Sequence, residues 1–236
     1  MSAWHEAVER DHDLQNPTSA EKIRLAGTYL RLGPGSTVLD LACGKAGPAL
    51  VLAREFGCRI HGFDVSPVFV DEARRRIADA GLAELISVER ADAAQVVAWP
   101  SCDVALCLGA AFVWGHIGDA AAVLARIVGS GGAIAVGEPF WRATGRDGAP
   151  VHTEASAEGF VDLAETVARF EAPGVDLTGL VAASEDDWDR YKSLQWRAAV
   201  EIGGDEVMAQ HLGRRGAYLS ARRAELGWAI FTGRVR

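Results

Sequence analysis

The chain predicts a doubly wound α/β fold, built on a mostly parallel seven-stranded sheet with a helical lid inserted before the last strand. Three observations carry that prediction. From Thr37 onward, short apolar runs alternate with amphipathic stretches of helical period. The first apolar run ends in an acid and turns through small residues, Val38-Leu39-Asp40-Leu41-Ala42-Cys43-Gly44-Lys45-Ala46-Gly47. Later runs also end in acids or glycine, and in a parallel sheet those ends converge on one ligand crevice.

The elements follow in order. Residues 1–17 are polar, and Asn16-Pro17 breaks any helix there. Thr18 or Ser19 caps a helix over 21–32, whose apolar side carries Ile23, Leu25, Ala26, Tyr29 and Leu30. Gly33-Pro34-Gly35 ends it. Strand one is 37–41, and a helix covers 48–56. Strand two is 59–64, followed by a helix over 67–80. Strand three is 86–90, then Asp92. Strand four is 103–108. A helix near 120–128 ends at Gly129, and strand five is 133–137. Residues 139–150 read as loop, 157–170 as helix and 175–183 as a sixth strand. The stretch 185–226 reads as mainly helical, and 227–235 as a last apolar strand. The whole chain, 1–236, reads as one domain with an N-terminal helical segment (1–36) and a lid (185–226).

Composition narrows the classes. The chain is 49% hydrophobic, enough for a large core, and carries a net charge of −8. That balance argues against a nucleic-acid partner or an anionic membrane, which need clustered Lys and Arg. Arg74-Arg75-Arg76, Arg214-Arg215 and Arg222-Arg223 sit in amphipathic patterns and read as solvated helix faces. No stretch is apolar for the roughly 18 residues that span a bilayer. Cys43, Cys58, Cys102 and Cys107 form no CxxC and read as buried reduced thiols. The expected compartment is the cytoplasm. No His, Asp or Glu spacing matches a metal motif.

The turn after strand one offers close backbone approach and a helix N-terminus, which suits a nucleotide-like cofactor. Ala42-x-Gly44-x-x-Gly47 with Asp64 downstream imitates a dinucleotide fingerprint. Against NAD or FAD, the motif begins only after a full helix, Asp40 lies inside it, and Asp92 adds an acid after strand three.

As an ordered set, these segments resemble the class I S-adenosylmethionine-dependent methyltransferases. Val38 to Gly44 looks like their first motif, usually written with Gly at Ala42. Gly62-Phe63-Asp64-Val65-Ser66 looks like the acidic end of their second strand, and Arg90-Ala91-Asp92-Ala93 like their adenine-side motif. Cys102 to Gly109 looks like their fourth-strand motif. A narrower resemblance, to an uncharacterised bacterial methyltransferase group, rests on Asn16-Pro17-x-x-x-Glu21-Lys22, Gly137 to Arg142, Trp188-Asp189-Arg190-Tyr191 and Gly227-Trp228. The resemblance implies a Rossmann-like fold and S-adenosylmethionine as cofactor. It implies that Asp40 orients the amino-acid end, and that Ala42 and Gly44 let the backbone approach. Asp64, with Val65 beside it, would hold the ribose hydroxyls. Asp92 and Ala93 would meet the adenine, and Leu108 and Gly109 the methionine portion. Alanine at positions 42 and 46 departs from the usual glycines and bears on the shape of the turn.

For the acceptor side, Glu138 and His116 are the candidate general bases, with His152 weaker. Trp114, Phe140, Trp141, Trp188 and Tyr191 are candidates for an apolar acceptor pocket, and Trp188, Tyr191 and Trp196 would also dock the lid on the core. The resulting expectation is methyl transfer to a small-molecule acceptor at O, N or C, by a monomer or homodimer. Alternatives are a protein that binds the cofactor without transfer, or an NAD-linked oxidoreductase. Only three of the 24 basic residues are lysine (Lys22, Lys45, Lys192), which fits a GC-rich bacterial genome.

Overall fold

The computed structural model describes residues 3–96, 102–142 and 159–236. The strands are β1 (Thr37–Leu41), β2 (Arg59–Asp64), β3 (Ile86–Arg90), β4 (Val104–Leu108), β5 (Ala133–Trp141), β6 (Val175–Ala182) and β7 (Leu226–Val235). They form one sheet in the order β3-β2-β1-β4-β5-β7-β6. β1 to β5 run parallel, and β7 inserts antiparallel to both β5 and β6. The chain starts at the centre, winds out to β3, then returns to β4 on the other side of β1. Strand order therefore reverses between β1 and β4, where crevices open in such sheets.

The strands are apolar on both faces because helices cover both. Val38 packs into one buried cluster with Ile60, Val88, Ile23 of α2 (Ala20–Tyr29), Leu52 of α3 (Gly47–Phe56) and Ile77 of α4 (Pro67–Asp79). Its neighbours Leu39 and Leu41 point the other way. They join Phe63, Leu124 of α5 (Ile117–Val128), Phe170 of α6 (Leu163–Glu171) and Phe231. Side-chain caps set the helix starts: Ser19 accepts from Lys22 N, Ser66 from Phe69 N, and Ser184 from Asp187 N. Each cap contributes about 1 kcal/mol.

The seven strands and their mostly parallel sense agree with the sequence prediction, and three details differ. β5 continues to Trp141, because Glu138–Trp141 pairs with Leu226–Ala229 of β7. β4 stops at Leu108, so Pro139 takes no ladder bond away from it. Residues 3–8 form a helix, α1 (Ala3–Val8), where the polar composition gave none. The helix expected over 157–170 is seen from Leu163, and 143–158, with His152, lies outside the described residues. Between β6 and β7 run α7 (Glu185–Ile202), α8 (Asp205–Ala217) and a wide turn over 218–222, as expected for a helical insertion. Among the described residues no helix is long and apolar enough to cross a membrane.

Candidate active site

β1 ends at Asp40-Leu41, and the chain then needs a tight turn to enter α3. Ala42, Gly44 and Ala46 all take left-handed backbone, with φ of 60°, 56° and 57°. The turn is tied down by Cys43 N–H donating to Phe63 O and Ala46 N–H donating to Cys43 O. The two alanines therefore keep the shape that glycines allow freely, at a conformational cost.

Asp64, at the end of β2, accepts from Gly44 N–H through Oδ2 and from Ser66 N–H through Oδ1, both at 2.8 Å. Each carboxylate oxygen keeps a further lone pair. Asp40 is 2% exposed, and its Oδ2 has no hydrogen-bond partner among the described residues. Burial, with the nearby Asp64 charge adding to it, pushes its carboxyl up to about 7. Asp92 is exposed and caps a short turn by accepting from Ala94 N–H at 3.0 Å.

These groups surround a cavity of about 610 Å³. All nine residues expected at the cofactor line it: Asp40, Ala42, Gly44, Asp64, Val65, Asp92, Ala93, Leu108 and Gly109. A buried carboxylate oxygen without a donor fits a cationic amine, because an unpaired buried charge is costly until it is partnered. Asp64 fits a cis-diol.

The acceptor-side expectations fare differently. Of the five aromatic residues, Tyr191 alone lines this cavity. Trp188 packs inward against Tyr191 and Tyr218 and is 5% exposed. Phe140 and Trp141 are carried by the unexpected extension of β5 and border a separate hollow with Asp162 and Ser184. Trp114 packs against the α5 side of the core. His116 is the N-cap of α5: its Nδ1 accepts from Gly118 N–H at 3.1 Å, and the ring is not part of the cavity wall. Glu138 is buried and does not line the cavity, and desolvation raises its carboxyl to about 7.

What the sequence did not disclose is the N-terminal cover. Trp4 and His5 of α1, then Gln15 and Asn16, line the cavity together with the strand ends. The cover is fastened at several points. Gln15 Oε1 accepts from Lys45 N–H at 2.7 Å, and Asn16 Nδ2 donates to Leu108 O at 2.7 Å. Lys45 Nζ donates to Glu9 O and Arg10 O, and Ser66 Oγ donates to Glu6 Oε1 at 2.6 Å. A Cβ on Gly44 would stand 2.1 Å from Gln15 Oε1, and one on Gly109 2.1 Å from Asn16 Oδ1. These glycines thus admit the chain's own cover as well as a ligand. Behind it, buried Glu9 accepts from Tyr191 Oη and Gln195 Nε2, joining α1 to α7. The one sequence signal was the spacing of Trp4 and Val8, four apart as on a helix face.

Residues 38–132 match the family model described as a methyltransferase domain. The uncharacterised protein YjhP of Escherichia coli is 33% identical, over 94% of both chains. The chain belongs to the S-adenosylmethionine-dependent methyltransferases. A solved structure of such an enzyme from Thiobacillus denitrificans, in complex with S-adenosyl-L-homocysteine, superposes with a TM-score of 0.90. It is 31% identical and covers all of this chain and 99% of its own. A methyltransferase named for aklanonic acid, from a Streptomyces strain, is 35% identical over 46% of this chain and 50% of its own. The cofactor is S-adenosylmethionine, as expected, and the dinucleotide alternative falls away.

Proposed function

We propose that this methyltransferase acts on a small molecule admitted to the 610 Å³ cavity, with its cofactor lying across the ends of β1 to β4. The observation that carries the reading is Asp40, buried in the cavity wall with an oxygen unpartnered among the described residues. Bound there, S-adenosylmethionine supplies a sulfonium-activated methyl group. Asp40 holds the ammonium of the amino-acid end, and Asp64 accepts from both ribose hydroxyls. Asp92 and Ala93 N–H meet the adenine, Val65 packs beside the ribose, and Leu108 and Gly109 present backbone to the methionine chain. Ala42 and Gly44 keep the floor low enough for contact.

The net charge of −8 and the roofed cavity support a small acceptor over a nucleic acid. The Streptomyces relative's name is consistent with that size class. The chain accelerates the reaction chiefly by orienting the two reactants and excluding water, with Trp4, His5, Gln15, Asn16 and Tyr191 closing the space. Of the two bases expected from the sequence, we keep Glu138, whose carboxyl burial raises to about 7; since it does not line the cavity, it would act through a bridging water. The His116 Nδ1 lone pair is engaged in capping.

The test is an acceptor screen that reads S-adenosylhomocysteine release over O-, N- and C-nucleophile small molecules, with transfer RNA and DNA as comparison substrates. Turnover confined to small molecules is expected. Turnover on nucleic acid alone would overturn the acceptor assignment. If Glu138 takes the proton, Glu138→Gln should lower kcat and flatten its acid limb near pH 7.

A further inference from the structure

Three carboxylates line the floor of the cavity, Asp40, Asp64 and Asp92, and the reading above gives each to the cofactor. One Arg or Lys side chain faces them among the described lining residues: Arg214 of α8. It sits on the helical insertion, with its guanidinium carbon 4.1 Å from the centre of the Trp4 ring. A cation–π contact of this kind leaves guanidinium N–H donors available to a ligand. Ten of the chain's 21 arginines are paired with carboxylates among the described residues. Arg75, Arg76, Arg169, Arg197 and Arg223, for example, all have acidic partners. Arg214 makes no ion pair with any described residue, although its ring partner fixes its position. The same cavity wall also carries aromatic and apolar side chains, Trp4, Phe69, Phe112, Val113 and Tyr191.

We propose that Arg214 receives a carboxylate of the acceptor, so that this enzyme methylates small carboxylic acids with an apolar or aromatic body. The planar fork of a guanidinium matches a carboxylate with two parallel N–H···O bonds. The stacked Trp4 prepays the ordering of a flexible side chain. The cofactor has a carboxylate of its own, and that is the competing source of the same chemistry. It lies one carbon from the ammonium assigned to Asp40. The guanidinium packs on Trp4 of α1, and no contact among the described residues ties it to Asp40.

The proposal rests on the cofactor placement given above, and the experiment separates the two. Wild-type protein and Arg214→Gln are first titrated with S-adenosylhomocysteine. Each saturated complex is then titrated with benzoate, phenylacetate and cyclohexanecarboxylate, with the matching amides, and with phenyl phosphate. At least one carboxylate should bind wild type about tenfold more tightly than its amide, the loss expected for a charge-assisted pair. Arg214→Gln should abolish that preference with S-adenosylhomocysteine affinity unchanged, and Arg214→Lys should restore part of it. The proposal is overturned by equal binding of acids and amides, or by a preference for phenyl phosphate. It is overturned equally by a drop in S-adenosylhomocysteine affinity in Arg214→Gln, which would give the guanidinium to the cofactor. Failure of wild type to bind S-adenosylhomocysteine would instead overturn the cofactor placement, and the proposal with it.

Discussion

Replacing Ala42 by glycine should stabilise the protein, although it removes atoms. Ala42 holds φ at 60°, in the left-handed region, and its methyl is only partly buried at the cavity wall. An L-residue in that region costs about 1–2 kcal/mol. Glycine removes this cost but returns about 0.5–1 kcal/mol through the extra freedom of the unfolded chain. The net expectation is a gain of about 0.5–1 kcal/mol. Ala46 has nearly the same backbone, φ 57°, but its methyl is wholly buried between α3 and the sheet. Losing a buried methyl costs about 0.8 kcal/mol, and the void adds to it. Ala46→Gly should therefore come out near neutral. Exposed Ala78 in right-handed α4 is the control, where glycine should cost about 1 kcal/mol. Urea unfolding at matched m-values reads all three, with Ala42→Gly moving the midpoint up by a few tenths of a molar. If Ala42→Gly lost as much as Ala78→Gly, the turn would not be strained as described.

Further perturbations probe the crevice. Asp64→Asn must turn its amide nitrogen toward Gly44 N–H or Ser66 N–H, leaving one donor unsatisfied. S-adenosylhomocysteine affinity should fall by about one to two orders of magnitude in a calorimeter. Asp40 binds an ammonium only when ionised, and its carboxyl titrates at about 7 in the free protein. Affinity should rise from pH 6 to about 7.5 and decline above about 8, where the amine itself loses its proton. Asp40→Asn should remove the rising limb. Glu138 ionises near 4 when unfolded and at about 7 when folded, so the folded state binds more protons between those values. Its stability penalty is absent below pH 4, grows to pH 7 and is complete above. The advantage of Glu138→Gln in urea unfolding should grow over that window. Gly109→Ala, at φ 93° and facing Asn16 Oδ1, should weaken cofactor binding by displacing the cover, and Gly109→Ala with Asn16→Ala should recover part of it.

The floor of the site was legible because it is local. Strand, acid, turn and helix follow each other within ten residues, and a parallel sheet brings such ends together by topology alone. Asp40, Asp64, Asp92 and Gly109 needed only that rule. The roof was not legible. Trp4, His5 and Arg214 reach the cavity wall through contacts between residues far apart in sequence, such as Trp4 with Arg214, and no periodicity reports those. The aromatic expectation failed in part because β5 ran four residues further than its apolar run suggested. Its pairing with β7 took Phe140 and Trp141 to another hollow. Gln15 lay beside a recognisable motif and Asn16 opened it, but their role depends on the missing Cβ atoms of Gly44 and Gly109. His116 illustrates the converse, a loop imidazole whose nearest backbone donors turned it into a helix cap.

The most direct test of the cofactor placement is calorimetric titration of the wild type and Asp64→Asn with S-adenosylhomocysteine, with NAD in a parallel run. One-to-one binding of S-adenosylhomocysteine by the wild type, weakened in Asp64→Asn, with no response to NAD, is the predicted result. Equal affinity in both proteins, or binding of NAD in place of S-adenosylhomocysteine, would contradict it.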